Sequence, residues 1–342
     1  MMKPLLAALL TLSGFAHAAE PLTIYTHRHY DADTQLYNKF TEKTGIPVKI
    51  VKANADQLIQ RLAAEGDSSP ADLLMTVDAG RLVSAKAAGV FTPVKSEILE
   101  KAIPAKYRDA DGHWFSITVR SRVIVYNKET IDPDKDLSTY ADLTHERWDG
   151  RLLARSSSNI YNQSLLASII AAEGEEKALD WASAVRKNMA RAPRGNDRDQ
   201  IRAVAAGYAD LALANTYYLG VLQNSDDEKD REVFSKVGVF FPDQDGRGAH
   251  INVSRAGIVK SSQNKENAIK LLEFLASPES QKIYASVNFE FPIDPAQNTN
   301  ELLKSWGDFK RDAVPLSKLG ELNKTAIRIF DRARWELSRI HI

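Results

Sequence analysis

Between residues 22 and 77 the chain alternates short apolar runs with amphipathic stretches, and this rhythm constrains the fold more than any other feature. Leu-Thr-Ile-Tyr-Thr over 22–26 predicts a short buried strand. Asp31 or Asp33 can cap a following helix that carries Leu36, Tyr37 and Phe40 on one face, and Gly45 can close it. A second strand is expected over 47–51, then a helix through Leu58, Ile59 and Leu62, then a third strand over 72–77. Strands alternating with helices predict parallel β-α-β units and therefore an α/β fold. Such sheets take ligands outside the carboxyl ends of their strands, where residues 25–30 and 77–78 would lie.

The same style continues downstream. Residues 117–126 form a long β-rich stretch, and a helix is expected from about 162 through Leu165, Leu166 and Ile169. A further helix is expected over 177–188 and a buried strand over 210–215, ending at Thr216-Tyr217-Tyr218. Strand returns over 249–259, and residues 267–275 read as an amphipathic helix with Ile269, Leu272 and Leu275 facing inward. The polar run 224–231 reads as a solvated loop or helix edge, and no internal repeat is visible.

Composition then removes whole classes. A length of 342 residues suits two domains rather than one core. Lys and Arg total 45 against 45 Asp and Glu, so the basic surplus of a dedicated nucleic-acid binder is missing. The chain has no cysteine, which excludes disulfides, thiolate metal sites and a catalytic thiol. Lys3, the apolar run 5–15 and the small-x-small triplet Ala16-His17-Ala18 predict a cleavable secretory signal peptide over 1–18. That run is too short to span a bilayer, which takes about 20 residues. A secreted hydrolase is disfavoured: there is no Gly-x-Ser-x-Gly elbow, His145-Glu146 lacks the second His of a zinc motif, and Gly246-Arg-Gly-Ala-His-Ile reads as a turn.

Several segments carry a resemblance. Asp72-Leu-Leu-Met-Thr-Val-Asp78-Ala-Gly, Arg120-Ser-Arg-Val-Ile-Val-Tyr126-Asn and the tail Asn267-Ala-Ile-Lys-Leu-Leu-Glu-Phe-Leu-Ala-Ser-Pro278-Glu-Ser-Gln281 together resemble the solute-binding proteins of bacterial ABC importers. Tyr25-Thr-His27-Arg28-His29-Tyr30 and Asn215-Thr-Tyr217-Tyr218 are similar to the ferric-ion-binding members of that group. The resemblance implies a two-lobe periplasmic binding protein of type II, each lobe a mixed sheet flanked by helices, joined by two crossing strands. Lobe 1 would hold 19–119 and 247–296; lobe 2 would hold 120–246 and 297–342. It also implies a monomeric periplasmic receptor that delivers Fe³⁺ to an inner-membrane permease and ATPase, with no catalysis and no nucleic-acid partner.

Ferric ion is small and hard and prefers anionic oxygen, which phenolates supply once the cation drives off their protons. The resemblance implies His29 and Tyr30 as ligands from lobe 1, and Tyr161, Tyr217 and Tyr218 from lobe 2. Adjacent residues of a regular strand point to opposite faces, so the chain must turn at Tyr217-Tyr218 for both to reach one ion. Four phenolates and one ferric ion leave one negative charge, which Arg28 and Arg120 can offset; carbonate or another synergistic anion is allowed and not required. Asp78 is not expected to replace the Glu that some members use. His27 is expected to be structural, Tyr25, Tyr126, Tyr208 and Tyr284 to be packing residues, and Arg122 to form a surface or inter-lobe ion pair. The rival reading with the same fold is a receptor for an organic solute such as a polyamine, which needs carboxylates among aromatic walls.

Overall fold

The computed structural model describes residues 20–28 and 30–336. The expected signal peptide and His29 lie outside the described residues. Among the described residues eight strands occur in chain order: β1 (Leu22–Thr26), β2 (Val48–Lys52), β3 (Leu73–Val77), β4 (Phe115–Asn127), β5 (Leu152–Leu153), β6 (Leu211–Asn215), β7 (Val237–Phe240) and β8 (Ile251–Ile258). Their lateral order is β2-β1-β3-β8-β4-β6-β5, with β7 also paired to β4.

β1 lies parallel to both β2 and β3, as the alternation of strand and helix requires. β8 runs antiparallel between β3 and β4. Alternate residues of the buried strands feed two cores. Leu22, Ile24, Leu73 and Met75 join the larger cluster, whereas Tyr25 and Leu74 enter a smaller one with Leu58, Leu82 and Trp114. The helix Asp31–Thr44 presents Leu36, Tyr37 and Phe40 to the larger cluster, and Gly45 ends it in the left-handed conformation at φ 71°. Its start differs from expectation. Tyr30 occupies the capping position without a side-chain cap, because the Asp33 carboxylate accepts from the Arg28 guanidinium instead.

β4 decides the overall layout. Its residues from Phe115 to Ser121 pair with β8, while Arg122 to Asn127 pair with β6 or β7. One continuous strand therefore belongs to two sheets and changes partners between Ser121 and Arg122. On one side lie β2, β1, β3 and β8, with helices that include Asp31–Thr44, Ala79–Ala87, Lys265–Ala276 and Pro278–Val287; on the other lie β5, β6 and β7, with Ile160–Glu173, Glu175–Asn188 and Asp197–Ala205. The short helix Leu316–Glu321 bridges them by packing on both Ala79–Ala87 and Ile160–Glu173. Among the described residues no helix is long and apolar enough to cross a membrane.

Candidate metal centre

Each candidate tyrosine stands where a helix begins. Tyr30 precedes Asp31–Thr44, just past the end of β1. Tyr161 lies in the first turn of Ile160–Glu173, whose cap is the Asn159 side chain accepting from the Tyr161 amide at 3.0 Å. Tyr217 and Tyr218 open the helix Tyr217–Gln223, which starts two residues after β6 ends. The expected turn is therefore a helix start, where successive side chains are about 100° apart instead of 180°. The two rings lie together, with centroids 4.2 Å apart.

The hydroxyls converge from both halves of the sheet. Tyr217 Oη lies 3.5 Å from Tyr30 Oη and 3.4 Å from Tyr161 Oη. All four tyrosines line one cleft of about 680 Å³, together with His27, Arg155, Asn159, Asn196, Arg198, Asp226 and Asp230. His27, expected to be purely structural, thus faces the cleft. Burial pushes the Tyr30 phenol well above its ordinary range, Tyr161 and Glu290 add to this, and Arg120 and Arg28 pull it back. Tyr217 is also raised by burial and then by Tyr161, Tyr30 and Tyr218; burial raises Tyr218 too. These three phenols are therefore neutral at neutral pH, and ionising them takes a strong positive field at the cleft.

Behind the tyrosines sits an ionic layer. The Arg28 guanidinium lies over the Tyr30 ring, 4.7 Å from its centroid; it donates through Nε to Asp33 and through Nη2 to Glu290 at 3.1 Å. Arg120 lies 5.6 Å from the Tyr161 centroid and donates to Glu290 at 3.2 Å and to the Val253 carbonyl at 2.8 Å. Ser254 Oγ accepts from both arginines. Burial works to raise the Glu290 carboxyl, but Arg28 and Arg120 outweigh it and hold the group below the ordinary carboxylate range. Glu290 and Arg155 are the residues that sequence reading missed. Arg155 lies 5.7 Å from the Tyr161 centroid and 3.5 Å from Asp197. Neither belongs to a motif; only their place in the fold brings them to the centre.

Other expectations resolve plainly. Asp78 is fully buried and accepts from the Gly80 amide, Ser164 and Asn252, so it caps a helix and stays out of the cleft lining. Arg122 pairs with Asp197 at 2.5 Å, and the pair is fully buried with both partners within 120–246, which corrects its reading as a surface or inter-lobe pair. Tyr25 and Tyr284 are fully buried, but Tyr208 is 51% exposed, with the Arg191 guanidinium over its ring, which corrects its reading as a packing residue. A separate group of Asp109, Asp111 and His113 already receives the Lys86 ammonium, at 2.9 Å from Asp109 and 2.7 Å from Asp111.

The family model for bacterial extracellular solute-binding proteins matches residues 68–310. The chain belongs to this family. Among curated proteins, this solute-binding protein is 48% identical over 317 residues to iron uptake protein A1 of Synechocystis, covering 93% of this chain and 88% of the relative. Among solved structures it is similar to a Trichodesmium protein (IdiA, FutA) in complex with iron and citrate ligands. That match has a TM-score of 0.88, 48% identity, and covers 92% of this chain and 99% of the other. A ferric binding protein from Campylobacter jejuni follows with a TM-score of 0.87, 47% identity, and coverage of 91% and 99%. The two-lobe mixed α/β architecture of the solute-binding protein is the one these structures share.

Proposed function

We propose that this protein is the periplasmic receptor of an ABC iron importer, binding ferric ion between its lobes and delivering it to a permease and ATPase. The observation that carries the reading is the convergence of Tyr30, Tyr161 and Tyr217 hydroxyls, from three separate segments, within 3.5 Å contacts in one cleft. Tyr218 completes four phenolates, and His29 is proposed as a further ligand from the segment beside Tyr30. Relatives named for iron uptake and ferric iron binding support the cargo. The chain acts as a carrier, without catalysis, and as an exported monomer released by cleavage after Ala18. Lobe 1 is proposed to be 19–119 with 247–296, and lobe 2 to be 120–246 with 297–342.

Charge balance supports the same cargo. Four phenolates and one ferric ion sum to one negative charge. Behind them, buried Arg28, Arg120 and Arg122 pair with Asp33, Asp197 and Glu290, and the partly exposed Arg155 of the cleft lining, which also reaches Asp197, leaves one positive charge. The two cancel, so a synergistic anion is not needed for neutrality in this low-dielectric site. Water or a small anion can fill remaining coordination positions in a cleft of about 680 Å³. A polyamine would instead need free carboxylates among the aromatic walls, whereas the tyrosines meet one another through phenol hydroxyls and Asp230 of the cleft lining is already paired with Arg202.

The test is metal-free protein titrated with ferric citrate. Uptake should bring an orange to red colour from a tyrosinate-to-iron charge-transfer band, lost when Tyr217 and Tyr218 are both changed to Phe. A colourless ferric complex, or heat of binding with spermidine and none with ferric citrate, would overturn the assignment.

A further inference from the structure

The segment Asn288–Glu290 does more than supply Glu290. Phe289 lies between the helix Pro278–Val287 and Phe291, which exchanges backbone hydrogen bonds with Val119 of β4, so it belongs to the β8 side of the molecule. Its ring nevertheless reaches the helix Tyr217–Gln223 on the other side. A Cβ added to Gly220 would meet Phe289 Cγ at 2.3 Å, Cβ at 2.4 Å and Cδ1 at 2.9 Å. The ring occupies the notch left by the missing side chain, three residues from Tyr217. Phe289 is buried at 6% exposure and holds φ at 54°, a left-handed conformation that a bulky residue keeps only when its surroundings impose it. Those surroundings include the neighbouring residues: Asn288 donates to Glu290 at 2.6 Å, and Glu290 is held by Arg28 and Arg120.

We propose that Phe289 and Gly220 form a closure latch, in which a lobe 1 aromatic ring seats in a glycine notch of the tyrosine-bearing lobe 2 helix when the lobes close. The inference rests on the ferric-receptor reading and deepens it. The backbone strain sits on one lobe, and the notch sits on the helix whose first two residues are ligands. The far end of that helix start is also fixed, because the Thr216 amide donates to the Ser121 carbonyl at 3.0 Å, at the point where β4 changes partners. Seating the ring therefore positions Tyr217 and Tyr218 against Tyr30, and unseating it frees one lobe from the other. Gly220 is a positioning residue here, with no contact to the cargo.

The experiment compares wild type, Gly220→Ala, Phe289→Ala and the double variant. Each is measured for ferric affinity by competition with citrate, for the radius of gyration of the iron-treated protein by X-ray scattering, and for thermal unfolding. Alanine is a better helix former than glycine, so a loss in Gly220→Ala cannot come from helix propensity. The expected result is an affinity lower by about tenfold, as when the closure-competent fraction falls to about a tenth, together with a larger radius of gyration. Phe289→Ala loses the latch without a collision and should weaken ferric binding by less than Gly220→Ala. Removing the ring should remove the collision, so the double variant should return to the level of Phe289→Ala. Unchanged affinity and radius in Gly220→Ala overturn the latch, as does a double variant that stays as weak as Gly220→Ala. Wild-type uptake is the control that separates the two ideas. Its absence sinks the cargo assignment, whereas normal wild-type uptake with an unaffected Gly220→Ala sinks the latch alone.

Discussion

The hydroxyls of Tyr30 and Tyr217 stand 3.5 Å apart although 187 residues separate them in the chain. Each belongs to a different side of the sheet that β4 divides, so a cation held by both oxygens ties the two sides together. Binding and closure are then one event, and the residues around this pair define what can be tested.

Tyr217 is the centre of the cluster, since its hydroxyl touches those of both Tyr30 and Tyr161. Changing Tyr217 to Phe should cost more than about a hundredfold in ferric affinity, because even the outer partners of metal ligands cost about 10- to 100-fold. Tyr126→Phe serves as the control, since this half-buried ring lies outside the cleft lining. Equal affinities for the two variants, in competition with citrate, would exclude Tyr217 as a ligand.

Tyr30, Tyr217 and Tyr218 are all raised by burial and enter the binding reaction protonated. Ferric binding by four phenolates should therefore release about four protons, three of them from these side chains, and affinity should fall as pH falls. Calorimetry in buffers of different ionisation enthalpy, corrected for protons taken up by the iron chelate, counts them directly. Release of none would mean that the phenols do not ionise on binding.

Glu290 is fully buried between two guanidiniums, so Glu290→Gln leaves Arg28 and Arg120 short of their shared counter-charge. Removing one partner of a buried pair typically costs about 3–5 kcal/mol, and urea unfolding of the metal-free protein should show a loss of that order. Glu279→Gln is the contrasting case, because Glu279 pairs with Lys39 on the exposed surface and should leave stability nearly unchanged. Similar midpoints for both variants would remove Glu290 from the structural role given to it.

His250 precedes β8 and is buried, and burial followed by Arg247, Arg122 and Arg120 holds its imidazole well below the ordinary range. The folded state keeps it neutral, while the unfolded chain protonates it below about pH 6.5. Its contribution to stability is full above that value and is lost as pH falls toward the folded-state value. Between pH 7 and 5 the wild type should lose about 1–2 kcal/mol more than His250→Gln, since each pH unit of differential protonation is worth about 1.4 kcal/mol. Parallel stability curves for the two proteins would show that His250 does not titrate on unfolding.

Legibility followed the range of the interactions. The helix Asp31–Thr44 could be read locally because its apolar periodicity and the Gly45 stop act over one turn. The Tyr217-Tyr218 pair was visible as an adjacent pair, and the need for a turn there followed from strand geometry alone. Glu290 was not visible. Its role depends on Arg28, which is 262 positions away, and on Arg120, which is 170 away, and no local pattern encodes either distance. Asp33 shows the same limit from the other side, because a long-range need to neutralise buried Arg28 outweighed its use as a helix cap.

By itself the sequence determined the alternation of strands and helices and the lack of thiol chemistry, since these depend on residue type and near-neighbour spacing, and through the family resemblance it offered Tyr30, Tyr161, Tyr217 and Tyr218 as candidate ligands. Only the tertiary structure decided which carboxylates pair with which arginines, which arginines stand behind which tyrosines, and that Phe289 rests on Gly220. The physical reason is that burial converts each ionic or steric contact from a weak surface preference into a requirement, and burial is a property of the folded chain.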